Sequence, residues 1–305
     1  MPFDAANPAA DVKHPEDKLR RWGASSETGR MTDVLLSAPA HLEMVPCNDV
    51  TRDSIARGLR TEPAVAERQH DRFAAALARA GVRCHFADPI NGLPDLSFTR
   101  DSVLMSPWGL IELRPSAEHR RAETRHVAAV ARRLGVPVQH RVGEGSVEGG
   151  DVCLVRDGVI VIGHSNERTN FTGAKSLGAL FAARGWEVIH TRFDPRFLHL
   201  DTIMTMVADR VAVVCPEALD DVLLERLSDL DIDLVTASVE EVGQLGANLL
   251  SLGDGRVVAA SGSGRIASLL ASRGLEVIEV DIDQFTRCGG GPHCLTMPLA
   301  RRAAG

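Results

Sequence analysis

The sequence lacks several features that would each announce a function class. No apolar run approaches the ~18 residues of a membrane helix; runs such as Val159–Ile162 are short. The first thirty residues are polar, carry Pro2, Pro8 and Pro15, and contain no apolar core like that of a signal peptide. A cytoplasmic protein with residues 1–30 as a flexible extension is therefore the expectation. Lysine is scarce beside arginine, and acids outnumber bases to give a net charge of −7. That balance argues against nucleic-acid or anionic-membrane partners, which need a basic surface, but leaves room for a small cationic ligand. There is no phosphate-binding GxxxxGK[ST] and no convincing dinucleotide GxGxxG at a strand-to-helix turn. The six cysteines form no CxxC pair, a pattern of reduced thiols in which one can serve as a nucleophile.

What is present is a weak repeat. Two short apolar runs flank a turn, a helical segment follows, and a further apolar run closes the unit. Turns recur roughly every fifty residues, ending at Gly109, Gly158, Arg210 and Gly255. Asp157-Gly158 and Asp254-Gly255 between apolar runs are hairpin signals. Helices are expected at Glu118–Leu134, Thr172–Arg184, Ala218–Ser228 and Gly264–Arg273. Leu177, Leu180 and Phe181, three and four apart, mark one buried face. A partial unit has strands at Val34–Ser37 and Val82–Phe86 around a helix at Ala64–Ala80, and its missing strand is sought at Cys294–Leu299. The expectation is a five-bladed α/β propeller of ββαβ units. One unit is closed by both chain ends, and residues 31–305 form a single catalytic domain.

Hairpins begin with polar residues where apolar ones are expected: Phe98-Thr-Arg-Asp101, Glu148-Gly-Gly-Asp151, His199-Leu-Asp201 and Gly246-Ala-Asn248. Alone, His199 among Phe197, Leu198 and Leu200 reads as a satisfied core histidine, and Cys294 as a small core hydrophobe. Their recurrence at one place in the unit argues that acid, histidine, acid and thiol converge on one mouth. His199, Asp201, His293 and Cys294 could supply zinc ligands, but no pair has a strong motif spacing, and neither metal nor cofactor is expected.

The segments LPDLSFTRD (93–101), EGGDVCLV (148–155), ERTN (167–170), HLDTIMTMV (199–207) and GGGPHCLTMPL (289–299) resemble the guanidino-group modifying enzymes. That superfamily includes arginine deiminases, dimethylarginine dimethylaminohydrolases and amidinotransferases, and its fold is a five-bladed α/β propeller. The motifs are most similar to those of arginine deiminases, in a compact version without their extra helical domain. The resemblance implies Cys294 as nucleophile, His199 as general acid/base, Glu148 as the partner of His199, and Asp101 and Asp201 as the grip on a guanidinium. It further implies substrate contacts from Phe98, Asp95, Arg120 and Arg168. Asp95 matches dimethylarginine hydrolases, where deiminases usually have Asn. The arginine that deiminases usually carry five residues before the cysteine is Gly289 here, with Arg287 two residues earlier.

The residue types suit the chemistry. A guanidinium carbon is a poor electrophile; two carboxylates can hold its N–H groups while a thiolate attacks. Asp201 favours an unsubstituted guanidinium, because alkylation removes N–H donors. The expected activity is hydrolysis of L-arginine or a close derivative to a citrulline-type product and ammonia. The alternatives are hydrolysis of dimethylarginine, amidino transfer to an amine, and a noncatalytic arginine-binding module. A homodimer is compatible with this reading.

Overall fold

The computed structural model describes residues 21–303. It contains five three-stranded mixed sheets. Four follow one recipe: an antiparallel hairpin, then a helical crossover to a third strand parallel to the second. They are β3 (Val103–Ser106), β4 (Gly109–Glu112) and β5 (Val138–Arg141); β6 (Val152–Arg156), β7 (Val159–His164) and β8 (Glu187–Arg192); β9 (Met204–Ala208), β10 (Val211–Val214) and β11 (Asp233–Thr236); and β12 (Leu250–Gly253), β13 (Arg256–Ala260) and β14 (Glu276–Val280). In the fifth sheet β1 (Arg30–Ser37) runs parallel to β2 (Arg83–Ala87) and antiparallel to β15 (Met297–Arg302). Each expected strand and helix from the repeat is found within a few residues.

The turns explain why the hairpins form where they do. At the tip of β12–β13, Asp254 and Gly255 have φ of 51° and 73°, the paired left-handed conformation of a type I′ turn. The crossovers are α2 (Pro63–Arg79), α3 (Arg121–Arg133), α4 (Phe171–Ala182), α5 (Asp221–Asp229) and α7 (Gly264–Ala271), preceded by α1 (Asp49–Ala56) and, before β12, by α6 (Val239–Gly243); α8 (Asp283–Thr286) follows β14. In α2 the buried positions Ala66, Gln69, His70, Phe73, Ala74 and Leu77 recur at helical spacing and face their sheet.

The sheets touch in a cycle. β15 contacts β3, β1 contacts β12, β12 contacts β9, and β9 contacts β6. A bridge from Arg114 to Val147 joins the sheet of β3–β5 to that of β6–β8. The inner strands are buried along nearly their whole length, which is why they read as continuous apolar runs rather than alternating ones. Among the described residues no helix is long and apolar enough to cross a membrane.

Two expectations need correction. Residues 1–20 lie outside the described residues, but Arg21–Arg30, assigned with them to a flexible extension, packs onto the body. Trp22 is only 2% exposed, its ring meets His85 edge-on, and Gly23 and Leu299 share a backbone hydrogen bond. The polar composition of this stretch hid the docking, because its anchors are one tryptophan and backbone pairing. Cys294, expected on a strand, instead sits in the turn that feeds β15. The turn frees its backbone to be held by a neighbouring side chain.

Emptying the Trp22 site should be costly. Trp22→Ala should lower the unfolding free energy by about 3–5 kcal/mol, as large-to-small core changes do. A denaturant melt showing a loss below about 1 kcal/mol would mean this segment does not dock.

Candidate functional site

Three hairpins enter through a single 3₁₀ turn: Thr99–Asp101, Gly149–Asp151 and Leu200–Thr202. Each carboxylate is positioned to cap the next turn. Asp101 Oδ1 accepts from Gly150 N at 2.9 Å, and Asp151 Oδ1 accepts from Leu200 N at 2.9 Å. Asn248 stands at the corresponding place before β12 and accepts from the backbone N–H groups of His293 and Cys294. Asp201 breaks the pattern. Its Oδ2 accepts from His293 Nδ1 at 2.8 Å and lies 3.4 Å from Cys294 Sγ, while its buried Oδ1 has no partner.

This relay brings the expected residues together. A cavity of about 20 Å³ is lined by Cys47, Asn48, Asp95, Phe98, Asp101, Arg120, Arg168, Leu198, His199, Cys288, Gly289, Gly290 and Cys294. Glu148 stands behind His199, with Oε2 at 2.9 Å from His199 Nε2 and Oε1 accepting from Ser116 N. His199 Nδ1 faces Asp101 Oδ1 at 3.7 Å and has no hydrogen-bond partner. Asp201 lines a separate inner cavity of about 10 Å³ with Glu27, Cys153 and His293, and reaches the thiol from that side.

The electrostatics are strongly perturbed. Burial works to lower the His199 pKa, but Asp101, Asp151 and Glu148 outweigh it and push it up to about 10. The imidazole is therefore cationic at neutral pH. Burial opposes ionisation of Glu148, yet its bond to His199 and the charges of Arg168 and Arg120 hold it well below the carboxylate range. Burial, then the charges of Asp201 and Asp101, drive the Cys294 thiol well above its usual range. Asn248, which donates to Sγ at 3.1 Å, works the other way. Burial raises Asp151 to about 7 despite the nearby imidazolium.

The expected substrate contacts fare unequally. Arg120 is buried and committed: Nη1 donates to Asp101 Oδ2 at 2.6 Å, Nε to Glu123 Oε2 at 3.0 Å, and Nη2 to Phe98 O at 3.0 Å. It orients Asp101 in this structure. Arg168 donates to the carbonyl and sulfur of Cys47 and lies 3.6 Å from Glu148. Asp95 turns its carboxylate to His119 Nε2 at 2.7 Å. The Phe98 ring packs edge-to-face on Phe285 at the cavity wall. Arg287 does not replace the arginine missing at Gly289: it pairs with Asp283 and donates to Arg60 O, outside the catalytic cavity. Gly289 has φ of 90°, and a Cβ there would lie 2.9 Å from Asn48 Oδ1. No side chain fits while Asn48 caps α1.

Of four further neighbours of the site, two were picked out in the sequence and two were not. Asn248 was visible as a hairpin-start polar residue, and His293 as the residue before Cys294. Cys47 and His119 carry no local signal, one after Pro46 and the other inside a charged run.

Residues 40–301 match the family described as "N,N dimethylarginine dimethylhydrolase, eukaryotic". The N(G),N(G)-dimethylarginine dimethylaminohydrolase of Streptomyces coelicolor is 31% identical, covering 82% of this chain and 90% of that protein. An arginine deiminase of Listeria monocytogenes is 28% identical over 71% of this chain and 63% of its own length. In structure, a Pseudomonas aeruginosa dimethylarginine dimethylaminohydrolase variant complexed with citrulline superposes with a TM-score of 0.74 at 25% identity, covering 88% of this chain and 99% of that one. The N-terminal domain of the cyanobacterial arginine dihydrolase ArgZ has a TM-score of 0.78 at 20% identity over 90% and 99%, a likeness of fold.

The sign of the His199 shift gives a test. Its folded pKa of about 10 lies above the ordinary 6.5, so its charged form stabilises the fold fully below pH 6.5. That contribution is lost as pH rises through about 10. The unfolding free-energy gap between wild type and His199→Gln should shrink steadily across this window. A pH-independent gap would contradict the geometry.

Proposed function

We propose, for a chain that belongs to the dimethylarginine dimethylaminohydrolase family, a cysteine hydrolase that converts L-arginine or a close derivative to a citrulline-type product and ammonia through a covalent thiouronium on Cys294. The enzyme class is that of its relatives, hydrolases of guanidino C–N bonds. The five sheets are read as blades of one propeller, and the described chain as one catalytic domain. The observation that carries the proposal is Cys294 Sγ, held between Asp201 and Asn248 in a cavity that the His199–Glu148 pair also serves.

In the free enzyme the thiol stays protonated, because the carboxylates around it oppose a second negative charge. A guanidinium between Asp101 and Asp201 brings the missing cation, and the thiol proton passes to solvent water. The thiolate attacks the central carbon. His199, already an imidazolium, donates its proton to the departing amine, and ammonia leaves a cationic thiouronium on sulfur. That cation makes neutral His199 favourable. The imidazole then takes a proton from water as the oxygen attacks. Collapse breaks the C–S bond, the added hydroxyl passes its proton to the departing sulfur, and the ureido product leaves with the Cys294 thiol restored. Glu148 supports the imidazolium at each turn. Arg168 is the remaining contact for a substrate carboxylate, and Asp95 for an amino group.

Asp201 Oδ1 favours an unsubstituted nitrogen: it is buried, acceptor-only and without a donor. A dimethylated nitrogen would leave it unpaired, an expensive outcome for a buried charge. The family match favours a second reading, hydrolysis of dimethylarginine to citrulline and dimethylamine.

Cys294→Ser should abolish turnover of arginine while leaving the circular dichroism spectrum unchanged. Retained near-wild-type rates would eliminate thiol catalysis.

Substrate choice is read through Asp201. Asp201→Asn should lower kcat/KM for arginine by about 10- to 150-fold, the worth of roughly 1.5–3 kcal/mol for a hydrogen bond to a charged group. Wild-type enzyme should turn over asymmetric dimethylarginine poorly. If dimethylarginine is preferred and Asp201→Asn is nearly silent on it, the second reading replaces the first.

A further inference from the structure

A second group of ligand-type side chains sits at the mouth, apart from the nucleophile and its partners. Cys47, Asp95 and His119 each offer one atom, and the three atoms lie within 4.8 Å of one another. They come from three separate stretches: the loop ahead of α1, the segment before the first 3₁₀ turn, and the short turn leading into α3. No sequence spacing could have announced them.

We propose that Cys47 Sγ, the Asp95 carboxylate and His119 Nε2 form a binding site for a borderline-soft divalent ion of the zinc type. One sulfur, one imidazole nitrogen and one carboxylate oxygen make a donor set suited to zinc, which takes three protein ligands and keeps a fourth position for water. Two donors are already aligned, since His119 Nε2 lies 2.7 Å from Asp95 Oδ2. An ion between them takes the place of the shared hydrogen, and the imidazole proton sits on Nδ1. The sulfur is accessible: Cys47 is only partly buried, and its present partner is Arg168 Nη2 at 3.1 Å. Arg168 has an alternative acceptor in Glu148, 3.6 Å from its Nη1. Binding displaces the thiol proton of Cys47 to solvent.

The site is distinct from the other cluster of metal-type ligands among the described residues, Asp101, Glu148 and His199. That cluster is fully buried and has no sulfur. Cys47 and Asp95 also line the catalytic cavity, so an ion held there stands at its entrance and competes with a substrate amino group for Asp95. The site itself does not depend on the activity proposed above.

The test uses the whole chain, stripped with a chelator and titrated with Zn²⁺ alone by calorimetry. Co²⁺ serves as an absorbing probe for a thiolate ligand. One ion should bind, and Co²⁺ should give a thiolate-to-metal charge-transfer band. Cys47→Ser and His119→Ala should each weaken binding by at least about tenfold, and Cys47→Ser should remove the band. Cys294→Ser should keep both. Thermal melts of the two ligand variants check that they fold, and either variant alone suffices. The proposal is overturned if no stoichiometric binding is seen. It is equally overturned if Cys294→Ser removes the band, or if folded Cys47→Ser and His119→Ala bind as the wild type does.

Discussion

The arrangement depends on one interaction used repeatedly: a carboxylate at the start of a hairpin accepts the backbone N–H of the next hairpin's 3₁₀ turn. Asp101 holds Gly150, and Asp151 holds Leu200. A buried carboxylate is costly unless it is hydrogen-bonded, and a buried N–H is costly unless it has an acceptor. Each link satisfies one of each. The two links tie the sheet of β3–β5 to that of β6–β8, and that of β6–β8 to that of β9–β11. Fold and site are therefore not separable here, since Asp101, which ties one sheet to the next, also walls the cavity.

Asp201 shows how chemistry departs from the scaffold. By position it should cap the next hairpin as Asp101 and Asp151 do. Asn248 instead donates to its backbone carbonyl and holds the backbone of His293 and Cys294 through the other end of its amide. The Asp201 carboxylate is released toward His293 and the thiol. His293 is in turn 3.3 Å from Glu27, which lies beside Arg100 and Arg301. A line of paired polar groups thus runs beneath Cys294, buried throughout. Against the cost of burial, these partners hold the Asp201 carboxyl below its ordinary pKa, and its Oδ1 is left without a hydrogen-bond partner.

Much of this was legible in the sequence, because the repeat reports a physical period. Apolar runs with Asp-Gly turns, helical faces and a return strand define each sheet locally. Once the units are aligned, Asp101, Asp151 and Asp201 fall at one level. Features built across units were not legible. Helix α1 was missed because its buried face is Thr51 and Ser54, which carry no apolar period. Helix α6 spans only Val239–Gly243; its signal is the capping box of Ser238 and Glu241. The engagement of Arg120 with Asp101 and Glu123 could not be read from a run of alternating charges, because a solvated helix face has the same composition. The contact of Cys47 with Arg168 joins residues 121 apart and has no local trace.

Closure of the first sheet by β15 carries a consequence for how the molecule is assembled. Thr32 and Ala300, which meet across β1 and β15, are 268 residues apart. Bringing the ends of so long a loop together costs about 5 kcal/mol of chain entropy before any contact repays it. The local hairpins and crossovers need no such search, so they can form first and wait. Cys294 lies on the segment that leads directly into β15. Cys294 therefore reaches its place only when this long-range pairing forms, a contact of the kind that slows folding. Until β15 pairs with β1, the Cys294 thiol is not held beside Asp201 and Asn248.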